Sequence, residues 1–349
     1  MLRADPVSAT AGRKADHLRI NLERDVDAKG LTNGFDAWRF ENCALPELDF
    51  ENVDTSTTFL GKGLGAPLLI SCMTGGTEDA GRINRRLARV AQRAAVAIGV
   101  GSGRVLLERA DLLGTFDVRD EAPDVLLFAN IGAVQLNKGY GADECGRLVR
   151  MLRADALVLH LNAIQEAVQP EGDTCFAGLL SRISALCSTL DVPIIVKEVG
   201  WGIAPDTVVA LLQAGVAAVD VAGAGGTSWS EVERHRLPEG RRQRVAAAFA
   251  GWGIPTAECI QRARDAAPSA SLIASGGIRD GIDVAKAVAL GADLVGIAGR
   301  FLRAAAEGEN AADDFVWELI TALRIAMFAV GVPTIASLRN TPRLRHVVT

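Results

Sequence analysis

Eight short apolar runs, spread along almost the whole chain and separated by amphipathic stretches, constrain the fold more than any other feature of this sequence. They cover residues 68–71, 97–101, 126–131, 156–161, 193–199, 217–222, 272–274 and 294–298, each bounded by turn residues. Runs this short, rich in Val, Ile, Leu and Ala, read as buried parallel strands. Between them the pattern turns helical. Residues 83–95 have a leucine and valine face with arginines opposite. Residues 205–214 open on Pro205, which suits a first helical turn, and stop at Gly215. Residues 283–290 and 313–330 are amphipathic as well. Regular β–α alternation implies a parallel sheet, and eight repeats imply closure: an α/β chain forming a single (β/α)8 TIM barrel. An open doubly wound sheet would carry G-x-G-x-x-G after its first strand, where this chain has Met73-Thr74-Gly75-Gly76.

A barrel needs about 250 residues, and the surplus of this 349-residue chain falls in two places. Residues 1–65 read as an N-terminal arm, with Arg13, Lys14 and His17 clustered on a predicted helix, and residues 66–349 as the barrel. Residues 224–256 form the longest βα connection, expected to be a lid or a wall of the active site. A net charge of −5, interspersed acids and bases, and a lone tyrosine exclude the basic stripe and stacking platform of a nucleic-acid binder. The six cysteines show no metal-ligand spacing, so inert buried thiols are expected. With neither a signal-like N-terminus nor an apolar run of roughly 18 residues, no membrane contact and a cytoplasmic location are expected.

Polar residues gather where the strands end, the face on which barrels do chemistry. Ser275-Gly276-Gly277-Ile278-Arg279 follows the seventh run, where glycines let backbone amides approach a phosphate. Lys197 stands in an apolar strand and needs an anionic or electron-rich partner. Asp220 on the next strand would serve, as would a flavin ring, whose N1–C2=O end becomes anionic on reduction. His160, Asn162, Gln165 and Glu166 share one loop, and a single carboxylate among neutral neighbours suits Mg2+ rather than zinc. Arg13, Lys14 and His17 would clamp a diphosphate if the arm folded over the barrel mouth.

These residues resemble the type II isopentenyl-diphosphate isomerases, FMN-dependent barrels, along essentially the whole chain. The most specific motifs are Arg13-Lys14-x-x-His17 and His160-x-Asn162-x-x-Gln165-Glu166. Met73-Thr74-Gly75-Gly76, Val196-Lys197-Glu198-Val199-Gly200, Gly225-Gly226-Thr227 and Ala274-Ser275-Gly276-Gly277 agree with them. The resemblance implies FMN contacts from Met73, Thr74, Gly75, Ser102, Asn130, Lys197, Thr227, Gly277, Arg279, Ala298 and Gly299. It implies diphosphate binding by Arg13, Lys14, His17, His160 and Asn162, with Gln165 beside the allylic carbons, Mg2+ on Glu166, and Glu233 relaying protons. Gly103 stands where many members have Gln, and Ala222 where a Ser is common.

The implied reaction interconverts isopentenyl and dimethylallyl diphosphate by protonation and deprotonation on FMN reduced beforehand by NADPH. The implied assembly is a tetramer or octamer. An FMN-dependent 2-hydroxy acid oxidase is the alternative enzyme. It would need a histidine after the sixth strand, where this chain reads Ala222-Gly223-Ala224-Gly225-Gly226-Thr227. An inosine-monophosphate dehydrogenase would need a cysteine there. A non-catalytic flavin-binding barrel is the remaining alternative.

Overall fold

The computed structural model describes residues 6–339 and 341–347, with side chains from residue 12 onward. Eight parallel strands close into a barrel: β1 (Leu68–Ile70), β2 (Ala97–Gly99), β3 (Leu127–Gly132), β4 (Ala156–His160), β5 (Ile194–Lys197), β6 (Ala218–Asp220), β7 (Leu272–Ser275) and β8 (Leu294–Ile297). Closure is made by β8 on β1, with Val295 opposite Leu68 and Ile297 opposite Ile70. Each expected run overlaps one of these strands, with β3 and β7 extending one residue past theirs.

The helices that bear on the site are α1 (Pro6–Glu23), α2 (Glu78–Ala94), α3 (Ala163–Val168), α4 (Pro205–Gln213), α5 (Trp229–Arg236), α6 (Arg241–Ala248), α7 (Gly281–Ala289), α8 (Gly299–Glu307) and α9 (Glu309–Ala329). Helix α2 starts five residues before the expected 83, because Thr77 caps it: the Thr77 side chain accepts from Ala80 N, and Glu78 and Asp79 occupy its first turn. The long 224–256 connection holds α5 and α6.

Alternation along the strands sorts the barrel interior into layers. Leu69, Ala97, Phe128, Val158, Ile195, Ala218, Ile273 and Leu294, one per strand, belong to a single buried apolar cluster. Phe59 and Leu64, from the hairpin formed by Thr57–Phe59 and Lys62–Leu64, join that cluster and stopper the barrel. Two residues further along each strand come Ser71, Gly99, Asn130, His160, Lys197, Asp220, Ser275 and Gly296. No large apolar side chain stands in this second ring. The polar floor of the barrel mouth is thus set by one period of the β pattern.

From Pro6 onward the chain before the barrel is structured. Besides α1 and the hairpin, Trp38–Phe40 pairs antiparallel with Leu344–His346 near the other end of the chain. The cysteines are unpaired; Cys145 and Cys259 are buried as expected, whereas Cys175 is exposed. Among the described residues no helix is long and apolar enough to cross a membrane.

Candidate active site

A cavity of about 560 Å³ opens above the polar ring, at the C-terminal ends of the strands. Lys197 rises from its floor. The Lys197 ammonium donates to the Glu198 carbonyl oxygen at 2.5 Å, which leaves two of its three N–H groups for a ligand. Asp220 is its register partner on β6, but the Asp220 carboxylate is engaged elsewhere. Its Oδ1 accepts from Ser275 Oγ at 2.6 Å and from Ala222 N at 3.2 Å, while Oδ2 has no hydrogen-bond partner. Burial pushes the Asp220 carboxyl up, against the opposing field of Lys197. Ser71 Oγ, in the same ring, is also buried without a partner. Unsatisfied polar atoms in a cavity floor mark a place built for a polar ligand. The Cys72 thiol beside them is pushed up to about 12 by burial, so it is no nucleophile.

One wall is backbone. Gly225, Gly276 and Gly277 have φ of 119°, 105° and 69°, the left-handed region where a side chain is strained. A Cβ on Gly226 would lie 2.5 Å from Gly277 N, so the loops after β6 and β7 touch main chain to main chain. They bring Thr227 and Gly277 to the cavity beside Gly299, the first residue of α8. Arg279 reaches the cavity edge as expected, but its guanidinium is paired with Asp36 and Asp283, each at 2.8 Å. Its side chain is therefore committed to protein carboxylates. Arg300 and Arg303, near the start of α8, also line the cavity. No sequence signal distinguished them from surface arginines of an amphipathic helix.

Helix α1 lies across the mouth and brings three cations close together. Lys14 Nζ donates to Ser102 O at 2.8 Å and sits 4.6 Å from the centre of the Phe116 ring. Burial, with Arg13 and Arg104 nearby, lowers the Lys14 ammonium to about 7. Arg13 is lowered as well, by burial and then by Arg104. Arg104, which opens the short helix Arg104–Glu108 after β2, is a third residue that sequence reasoning missed. Packed cations of this kind are stable only when an anion joins them.

The opposite wall is the β4–α3 loop. His160 Nδ1 lies 2.9 Å from Asn130 Oδ1. Burial, then Lys197, Arg104 and Lys14, push the His160 imidazole down to about 3, so it is neutral at pH 7. Asn162 Nδ2 donates to Glu166 Oε1 at 2.7 Å, and Glu166 Oε2 accepts from Asp173 N at 2.6 Å. Gln165 Nε2 donates to Glu233 Oε1 at 3.0 Å, and His17 Nε2 meets the same oxygen at 2.9 Å. Burial alone would raise the Glu233 carboxyl; the bonds from His17, Gln165 and Arg236 outweigh it and hold the carboxyl below the glutamate range.

Met73, Thr74, Gly75, Ser102, Asn130, Lys197, Thr227, Gly277, Arg279, Ala298 and Gly299 all line this cavity, as do Arg13, Lys14, His17, His160, Asn162, Gln165 and Glu166. Glu233 does not; it stands one layer back and touches the cavity through Gln165 and His17. The two departures have local reasons. A Cβ on Gly103 would come within 2.5 Å of Leu148 Cδ1, so Leu148 fills the space a longer side chain would need. Ala222 sits at φ 38°, and its amide is tied to Asp220.

Residues 161–345 match the family described as FMN-dependent dehydrogenase. The chain is 54% identical to the isopentenyl-diphosphate delta-isomerase of a Nostoc species, over 97% of both chains. It is 53% identical to that of a Synechococcus species, over 97% of this chain and 99% of the other. The Rickettsia bellii enzyme of the same name is 48% identical over 96% and 98%. Among solved structures, flavocytochrome b2 covers 97% of this chain and 85% of its own with a TM-score of 0.66 at 19% identity. Mandelate oxidase covers 98% and 99% with a TM-score of 0.65 at 16%. At such identities these two oxidoreductases share the fold.

Proposed function

The chain belongs to the isopentenyl-diphosphate delta-isomerases and, through its barrel, to the FMN-dependent dehydrogenase family; from that membership we propose how its own residues divide the work. The cavity floor and glycine wall fit FMN. Lys197 offers two N–H groups where the pyrimidine end of the ring would lie, and the paired glycine loops line the cavity where its phosphate would lie. When bound and reduced, with NADPH as the reductant, the flavin supplies acid–base chemistry and an electron-rich face for a cationic substrate.

Arg13, Lys14 and Arg104 would hold the diphosphate, and the gathering of these three side chains at one end of the cavity is the observation that carries this reading. A bound anion would offset the cost of burying Lys14 as an ammonium beside Arg13 and Arg104. Glu166 would hold Mg2+. Among the described residues no group of three or more His, Cys, Asp or Glu could bind a metal, so the cation would share its sphere with phosphate oxygens and water. Neutral His160 has no proton on Nε2 while Nδ1–H donates to Asn130, so it would donate to a phosphate oxygen only after taking up a proton. Gln165 is held in place by buried Glu233 and faces the cavity as a neutral amide, suited to orienting the substrate rather than removing its proton.

The double-bond shift adds one proton at the terminal carbon and removes one from the carbon next to the diphosphate-bearing methylene, with no net redox change. One equivalent of NADPH under anaerobic conditions should therefore support many turnovers of isopentenyl diphosphate. Full-rate isomerisation by oxidised enzyme, or NADPH consumed one-for-one with product, would overturn the proposal in favour of a redox enzyme.

A further inference from the structure

Residues 26–36, between α1 and the first short strand, lie along the backs of both glycine loops. Ala28 N donates to Gly226 O and Ser228 N donates to Val26 O, each at 2.8 Å, so that Asp27 and Thr227 face one another as an antiparallel bridge. Asn33, 2% exposed, uses both side-chain N–H groups: Nδ2 donates to Gly277 O at 2.6 Å and to Asp283 Oδ2 at 3.1 Å. Its Oδ1 accepts from Phe35 N at 3.1 Å. The fit is close, for a Cβ on Gly225 would lie 2.1 Å from Asn33 N.

These bonds have a directional consequence. A trans peptide unit is planar, with its C=O and N–H pointing opposite ways. Holding Gly277 O against Asn33 therefore turns Ile278 N–H away from Asn33, and holding Gly226 O against Ala28 turns Thr227 N–H away from the arm. Asn33 and Ala28 do not line the cavity, whereas Gly277, Ile278, Gly226 and Thr227 do. Glycines in the left-handed region would otherwise be free to turn these peptides and present a carbonyl to the cavity. A carbonyl there repels a phosphate; an amide N–H binds it.

We propose that residues 26–36 form part of the cofactor site, with Asn33 as a positioning residue that aims the amides of the two glycine loops at the phosphate of FMN. This rests on the FMN reading above. It also places cofactor and substrate groups on one continuous segment, since α1 with Arg13, Lys14 and His17 leads directly into it.

The test titrates apoprotein with FMN and with riboflavin, which lacks the phosphate. In Asn33→Ser the FMN Kd should rise by about tenfold or more, the worth of one or two hydrogen bonds, while the riboflavin Kd stays at its wild-type value. An unchanged FMN Kd, or an equal loss for both flavins, would show that Asn33 merely supports the fold and would overturn the proposal. Should that variant fail to fold, Ala28→Pro, which removes the amide that donates to Gly226, meets the same two criteria. Wild-type protein that binds neither flavin would sink the FMN reading itself, an outcome separable from failure of the variants.

Discussion

His17 on α1 and Glu233 on α5 meet at 2.9 Å across the barrel mouth, the carboxylate wholly buried and the imidazole partly exposed. Glu233 also accepts from Gln165 and from Arg236, so one carboxylate ties together the arm, the β4–α3 loop and the long connection. A depressed carboxyl contributes stability above the ordinary glutamate range and loses it as pH falls through its folded value. Glu233→Gln should cost about 3 kcal/mol at pH 7. Denaturant melts at neutral and at acid pH should show that gap narrowing on acidification.

Lys14 tilts stability in the same direction, on the alkaline side. Its folded value of about 7 lies below the 10.5 of an unperturbed lysine, so the unfolded chain binds more protons between those values. Stability should rise with pH across that window. Lys14→Met should flatten the rise, raise the Tm of the free protein at pH 7, and weaken inorganic diphosphate. Binding of diphosphate to wild type at pH 8 should take up protons, measurable by calorimetry in two buffers of different ionisation enthalpy.

His160 adds an acid-side slope. An unfolded histidine takes its proton near 6.5, the folded one only near 3, so the native state loses stability as pH falls between them. His160→Gln should remove that part of the slope in urea melts run from pH 4 to 7. A slope identical to wild type would mean that the ring is protonated in the fold.

Glu166→Gln should raise the Mg2+ concentration for half-maximal activity while leaving the flavin spectrum unchanged. The amide keeps the size and removes the charge. Its NH2 cannot accept from Asp173 N as Oε2 now does, so the turn at 170–173 should loosen as well. Hydrogen exchange at those amides would report the second effect separately.

Lys197→Ala should weaken FMN and abolish turnover, because it deletes the one cation of the polar ring. Flavin retained at full occupancy with normal turnover would refute the assignment.

The barrel was legible because each strand carries its own signal, and the floor of the site because it follows from alternation: Val158 then His160, Ile195 then Lys197, Ala218 then Asp220, Ile273 then Ser275. What stayed hidden depends on partners far along the chain. Arg279 read as a cofactor contact, yet Asp36, 243 residues away, takes part of its guanidinium. Arg104 and Arg303 carry no local pattern, since only packing decides which arginine of a helix faces a cavity. The path of residues 26–36 has no periodicity at all, being held by backbone bonds and one asparagine.

The pairing of Asn33 with Gly277 also orders events in time. The two are 244 residues apart, and at a synthesis rate of roughly 5–20 residues per second Asn33 waits on the order of 10–50 s for its partner. During that interval residues 26–36 lack half of their docking surface, because one of the two loops they grip follows β7. A segment made before β1 therefore settles only after β7 has been made. A ribosome-bound chain halted before β7 should leave Asn33 exposed to solvent, however well its earlier strands have paired.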